Sequence, residues 1–300
     1  MSEYSIQTID LEFQGKESGI AAFLIETNDG PILVETGPHS ALPVLEAEIK
    51  KKGFHPSDIQ HVFITHIHLD HAGASWCFAE NGARIYLHPR GFRHMHDPSR
   101  LLASAKMIYK DEMDSLWGTL KPISEDLLVT VEHLEVVEVY GLKFQAHHTP
   151  GHAQHHIAWQ LDDQIFTGDV AGVSINGGPV IPPCPPPDIN IEVWLSSIDH
   201  LLGLEEVSTY YLTHFGKVSN IIPHMNKLRG ALHDYSEFAR PIVESGKSVE
   251  ESLPKFRNFV REFLVEHGLA SQDAAAYEAA NPSDMSLTGL MRYWKKKLDQ

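Results

Sequence analysis

The stretch HVFITHIHLDHAG, residues 61–73, decides how this chain is read. The run from His61 to Thr65 has the length and apolar character of a short buried strand, and four side chains able to ligate a metal follow it: His66, His68, Asp70 and His71. A tight loop at a strand end can turn several imidazoles toward one point. Neutral imidazole together with carboxylate is the donor set suited to Zn²⁺ or Fe. A metal takes three or four donors, so these residues alone serve two ions only in part, and further ligands are expected at strand ends downstream.

Three positions meet that expectation. His152 lies in HTPGHAQHH, in a Pro-Gly turn between two apolar runs; Asp169 closes FTGD; His214 closes YYLTH. Every one of these donors sits at the C-terminal end of a strand or in the turn beyond it, a recurrence that core packing does not produce. Of the 20 histidines, His39, His55, His88, His94, His96, His133, His200, His224, His233 and His267 lack such placement and are expected to face solvent. His147, His148, His155 and His156 flank the site and are read as structural or as supports for the ligands. The two cysteines, Cys77 and Cys184, form no C-x-x-C arrangement and are read as buried or incidental thiols.

Outward from the ligands, the first third of the chain reads as strands. SIQTIDLEF and IAAFLIET are followed by the turn signal NDG at 28–30 and the return strand PILVETG. Residues 40–52 have helical spacing at Leu42, Leu45 and Ile49 with Gly53 just beyond, where a helix stops. Residues 98–117 predict one long amphipathic helix inserted between strands. Apolar strands are expected near 127–131, 134–139, 142–147, 155–161 and 164–168, then a loop GGPVIPPCPPPD, a helix over 190–202 and a strand over 208–213. The halves echo each other: FLIETNDGPILVETG resembles IAWQLDDQIFTGD, and FITH resembles YLTH, which suggests two similar β-rich halves face to face with helices outside. Heavily charged helical segments run from 219 to the end. The expected division is a metal-binding catalytic domain over 1–218 and a helical block over 219–300 packing on it.

Composition narrows the function classes. The chain has 300 residues, 42% hydrophobic and 21% charged, as expected of one large domain or one with a small appendage. A net charge of −16 argues against nucleic acid as a partner, since such binding leans on clustered Lys and Arg. The KKK runs at 50–52 and 295–297 read as solvated helix ends. The opening MSEYSIQTIDLEFQ carries acids where a secretory signal carries a basic segment and an apolar one, and no run approaches the ~20 apolar residues of a membrane span. No membrane partner and a cytoplasmic location are therefore expected. The oligomeric state is open, with a homodimer among the arrangements allowed.

Taken together, THIHLDH, TPGH, FTGD and THFG resemble, in order and approximate interval, the motifs of the metallo-β-lactamase superfamily over residues 1–218. The resemblance implies an α/β fold, a four-layer αβ/βα sandwich with metals at one edge between the sheets, here with a helical C-terminal extension. It implies that His66, His68 and His152 hold one metal, that Asp70, His71 and His214 hold the second, and that Asp169 bridges both. One departure is visible: the family's first motif usually ends in Asp-x-Gly, and this chain has Glu35 in VETG.

The donors imply the chemistry. Two divalent transition-metal ions, zinc with Fe or Mn as alternatives, would share a bridging hydroxide and polarise a carbonyl or phosphoryl oxygen. Hydrolysis then needs no protein nucleophile, and Asp70 could pass a proton to the leaving group. No Ser-x-x-Lys, G-x-S-x-G or P-loop pattern supports a rival mechanism. Among activities of the superfamily, hydrolysis of a small-molecule thioester or lactone is the expectation, and the helical block after THFG is reminiscent of glyoxalase II. The alternatives are a mononuclear iron persulfide dioxygenase, with His66, His152 and Asp169 as a facial triad, and, from a different class, a non-catalytic binding module on the same scaffold.

Overall fold

The computed structural model describes residues 4–270 and 274–299. The strands are β1 Tyr4–Asp10, β2 Ala21–Thr27, β3 Pro31–Val34, β4 His61–Phe63, β5 Arg84–Leu87, β6 Leu128–Thr130, β7 Val136–Val139, β8 Leu142–His148, β9 Ile157–Leu161, β10 Gln164–Phe166, β11 Thr209–Leu212 and β12 Gly216–Val218. The α-helices are α1 Leu42–Lys51, α2 Leu69–Ala72, α3 Ser75–Glu80, α4 Phe92–His96, α5 Ser99–Tyr109, α6 Met113–Trp117, α7 Ile191–Leu202, α8 Ile221–Glu244, α9 Val249–Glu266, α10 Ala274–Ala280 and α11 Ser283–Leu298. Two six-stranded mixed sheets result, ordered β1-β2-β3-β4-β5-β6 and β12-β11-β10-β9-β8-β7.

The sequence echo becomes a structural repeat. In the first sheet, β2 and β3 form an antiparallel hairpin and β3 runs parallel to β4. In the second, β9 and β10 form the hairpin and β10 runs parallel to β11. Parallel neighbours bring their C-terminal ends to the same edge, so the residues after β3, β4, β10 and β11 converge there. The sheets also touch beside that edge, where the Ala21 N–H donates to the Thr213 carbonyl at 2.8 Å.

Aromatic side chains fill the space between the sheets. Phe63 lies 4.2 Å from Phe144 and 4.4 Å from Tyr86, ring centre to ring centre, and meets Trp159 edge-on. Phe63, Phe144 and Trp159 are fully buried, and burying one ring of this kind stabilises the fold by roughly 1.5–3 kcal/mol. The outer face of the first sheet is covered by α1, α3 and the segment around α4 to α6. The outer face of the second is covered by α7, α8, α9 and α11, whose side chains share one apolar cluster with Ala158, Ile165, Tyr210 and Leu212 of the strands. The order of layers is helix, sheet, sheet, helix, and the charged C-terminal segments are part of the last layer.

Three expectations need correction. The helix predicted over 98–117 is broken after Tyr109, where Lys110 takes φ 47°. A straight helix would carry Trp117 about 12 Å along the axis from Tyr109; the bend instead brings their rings to 5.0 Å and stacks Trp117 on Phe13 at 5.5 Å. The strands β5 and β12, four and three residues long, were not expected from the sequence pattern. His88 and His224, expected at the surface, are buried. His224 hydrogen-bonds the Ala171 carbonyl through Nε2 at 2.7 Å, which gives a polar ring in an apolar helix face its partner.

Candidate metal centre

The seven donors expected from sequence come together at the common strand edge. His66 follows β4, His68 precedes α2, and Asp70 and His71 ride on that single turn of helix. The turn is held against the end of β3, since Thr36 donates to the His71 carbonyl through both N–H (2.9 Å) and hydroxyl (3.0 Å). His152 stands in the loop between β8 and β9, Asp169 after β10 and His214 after β11.

Their ligating atoms fall into three overlapping groups: His66, His68 and His152; His66, His71 and Asp169; Asp70, His71 and His214. Asp169 divides its carboxylate between the two sides. Its Oδ2 lies 3.2 Å from His152 Nε2, while its Oδ1 lies 3.2 Å from His71 Nε2 and 3.4 Å from His214 Nε2. Asp70 Oδ2 sits 3.4 Å from His214 Nε2 and 3.6 Å from His71 Nε2.

Backbone and side-chain acceptors fix which ring nitrogens face inward. His152 donates through Nδ1 to the Pro183 carbonyl at 2.8 Å, and His214 through Nδ1 to the Gly19 carbonyl at 2.7 Å. Thr65 donates its hydroxyl to Glu35 Oε1 and accepts from His66 Nδ1 at 3.1 Å. The Nε2 lone pairs of His66 and His152 are thereby turned on His68 Nδ1, at 2.9 and 3.1 Å. A single proton on His68 Nδ1 satisfies one of them and leaves the other opposed. Donors bound at about 2.1 Å in a tetrahedron lie about 3.4 Å apart, close to these separations, so a cation resolves the arrangement where a proton does not.

Charge gives the same answer. Glu35, Asp70 and Asp169 surround His71, and among the described residues no Lys or Arg side chain pairs with them. Both nitrogens of His71, Asp169 Oδ1 and Glu35 Oε2 are buried without a hydrogen-bond partner. Unpaired buried charge is costly, and bound cations are the usual remedy. Burial holds the imidazoles of His66 and His152 below the ordinary histidine range and that of His68 at about 3, the neutral form a metal requires. For His71 and His214 burial works in the same sense but the neighbouring carboxylates overrule it and raise both above the ordinary range, the same attraction those carboxylates would offer a cation. For Asp70 burial pushes upward, yet His71 and His214 outweigh it and set the carboxyl at about 2.

Sequence reasoning left the roles of Glu35 and His156 open and missed the other supports. Glu35, with φ 65°, is fully buried and reaches both Thr65 and, at 3.4 Å, His71 Nδ1. The added methylene relative to the usual aspartate is therefore accommodated. His156 accepts the Asp169 N–H through Nε2 at 3.2 Å and donates to Thr149 Oγ1 at 2.8 Å, so it positions the shared carboxylate. The carbonyls of Gly19 and Pro183 carry no sequence signal at all. Thr65 was visible in FITH but unassigned.

The family model for the metallo-beta-lactamase superfamily matches residues 15–214. The chain belongs to that superfamily. A metallo-beta-lactamase fold-containing protein of Sulfurisphaera tokodaii is 28% identical over 157 residues, covering 49% of this chain and 57% of that protein. An N-acyl homoserine lactonase of Bacillus thuringiensis is 34% identical over 79 residues, covering 19% of this chain and 32% of the lactonase. The chain thus spans little more than half of the first relative and a third of the second. A metallo-beta-lactamase family protein from Thermus thermophilus superposes with a TM-score of 0.70 at 19% identity, covering 98% of this chain and 93% of that one, a likeness of fold. No α-helix among the described residues is long and apolar enough to cross a membrane.

Proposed function

We propose that the chain is a metal-dependent hydrolase that uses a dinuclear centre, zinc in the first instance, to cleave a small thioester or lactone. The observation that carries this reading is the Asp169 carboxylate, one oxygen against His152 and the other against His71 and His214. A single-ion site has no use for the second set, Asp70, His71 and His214, and the convergence of that set favours hydrolysis over a mononuclear iron dioxygenase. Bound between these donors, two divalent ions would supply an activated water and polarise the acyl oxygen.

The chain's own residues do the rest. Asp169 holds the two donor sets in register, and His156 and Glu35 keep Asp169 and His71 turned inward. Asp70 is, with His68, a donor open to an incoming substrate, its side chain 22% exposed against 4% or less for His71, Asp169 and His214. Its Oδ2 is engaged by the histidines, which leaves Oδ1 to carry a proton to the leaving oxygen or sulfur. Tyr109 of α5 lies beside the approach: burial first, then the charges of Asp70 and Asp284, push its phenol above the ordinary range. The proline loop between Gly178 and Asp188 is sewn to the C-terminal helices through Asn281 Nδ2 to the Pro182 carbonyl and the Cys184 N–H to Ser286 Oγ. That loop in turn holds His152. A lactone substrate has the further support of the lactonase among the relatives.

The test is elemental analysis with a parallel assay on activated thioesters, lactones and a glutathione persulfide with oxygen uptake followed. The reading expects two ions in this centre, one of them remaining in His71→Ala, and hydrolysis lowered by several orders of magnitude in that variant. A metal content fixed at one under metal-replete conditions, or oxygen consumption without hydrolysis, would overturn it. A fully loaded protein inert on the whole panel would return it to a binding module.

A further inference from the structure

A second group of imidazoles stands apart from the seven donors. On the outer face of the second sheet His147 of β8 points its Nδ1 at Nε2 of His200 on α7, 3.0 Å away. The other nitrogen of His147 lies 2.8 Å from Gln160 Oε1 on β9. A glutamine carbonyl only accepts, so His147 Nε2 carries the proton and Nδ1 presents its lone pair to His200. A histidine whose far nitrogen donates to a side-chain oxygen is the usual support of a metal ligand. His133, an exposed residue in the turn before β7, places its ring 5.4 Å from that of His200 and 5.6 Å from that of His148.

We propose that His147 Nδ1 and His200 Nε2, joined by His133, form a separate binding site for one divalent transition-metal ion of the imidazole-preferring kind, Zn²⁺, Cu²⁺ or Ni²⁺. The spacing of the pair matches the 2.9 and 3.1 Å between ring nitrogens of His66, His68 and His152. His147 is 1% exposed and held from behind, a rigid first ligand; His200 and His133 are open enough to admit an ion. His133 reaches the ion by turning its exposed ring away from the His148 N–H, which it now accepts at 3.0 Å. Losing one neutral hydrogen bond lowers affinity by about tenfold at most, less than a third imidazole restores. Three neutral imidazoles and a solvent position fit the open coordination of such ions. The site would clamp α7 to the edge of the sheet that carries the His152 loop.

The experiment is equilibrium dialysis of the full chain against Zn²⁺ followed by elemental analysis, for the wild type, His200→Ala, His133→Ala and Gln160→Met. The wild type is expected to bind one ion more than His200→Ala, with His133→Ala weakened at least tenfold and Gln160→Met by about 10–100-fold. Equal melting temperatures in chelator, expected because His200 and His133 lie at the surface, keep misfolding out of the comparison. Identical stoichiometry in the wild type and His200→Ala would overturn the site, whatever the first centre holds, because none of its seven donors is altered. Unchanged affinity in His133→Ala would overturn the part given to His133.

Discussion

Gly289→Ala tests the coupling between the C-terminal helix and the metal centre. Gly289 lies in α11, buried against the proline loop, and a Cβ there would stand 2.0 Å from the Cys184 carbonyl oxygen and 2.8 Å from the Pro185 carbonyl carbon. Contacts under 3.0 Å do not occur for real Cβ atoms, so helix and loop must part by about 1 Å. Two effects compete. Alanine in a helix interior gains about 1 kcal/mol over glycine, whereas forcing a methyl into a packed contact costs about 1–3 kcal/mol. The obstacle is backbone, and the loop is tied on both sides by Cys184, Pro182 and Pro183, so the cost belongs at the upper end. A net loss of about 1–2 kcal/mol lowers the melting temperature by roughly 2–3 °C in a chain of 300 residues. If the parting carries the Pro183 carbonyl away from His152 Nδ1, metal affinity falls by about 10–100-fold as well. Thermal denaturation and competitive metal titration measure both. A melting temperature raised by the helix-propensity gain, with metal affinity unchanged, would refute the packing and the coupling together.

Glu35→Ala removes the acceptor of Thr65 Oγ1 and the carboxylate facing His71, and metal affinity is expected to fall by about 10–100-fold, with Glu35→Asp in between. Competition with a chromogenic chelator measures it, and wild-type affinity in the alanine variant would show that Glu35 orients nothing. Replacing Met107, Ile108 or Trp117 by Ala, on the bent α5–α6 segment whose Tyr109 comes near Asp70, should change the Michaelis constant or substrate choice while metal content stays constant; an unaltered specificity profile in all three would count against a wall built from that segment. Removing metal with a chelator should lower the melting temperature, because a ligand present at 100 times its dissociation constant stabilises by about 2.7 kcal/mol; coincident melting curves with and without chelator would exclude a metal that binds the folded state.

The ligands were legible because each lies at the end of a strand or in the turn beyond it. FITH, FTGD and YLTH all join an apolar run to a turn, and the chain needs no distant contact to place a side chain at the end of a strand. The pairing of halves was legible for the same reason, since the hairpin signal NDG recurs in shape as LDDQ. What was hidden depends on contacts far apart in sequence. His224 is buried because a carbonyl of the loop after β10 meets it, His88 because the ring of His148, sixty positions on, lies 4.1 Å from its own, and neither partner leaves a periodic trace. The break after Tyr109 was equally hidden: the amphipathic spacing continues through Lys110, and only the meeting of Trp117 with Phe13, about a hundred positions earlier, calls for a bend.

The arrangement divides its labour between the two halves and the helices outside them. The first half supplies His66, His68, Asp70 and His71 from one loop, a local solution that a few residues can encode. The second half supplies His152, Asp169 and His214 from three separate strand ends, a solution that exists only once β8 through β11 have paired. Asp169 belongs to the second half but its Oδ1 meets His71 of the first, so neither half by itself gathers both donor sets. The inward aim of His152 further depends on a carbonyl of the proline loop, and that loop on Asn281 and Ser286 of the C-terminal segment. A centre assembled this way makes metal affinity a sensitive report on the packing of the last helix, far along the chain from the histidines that first betray the site.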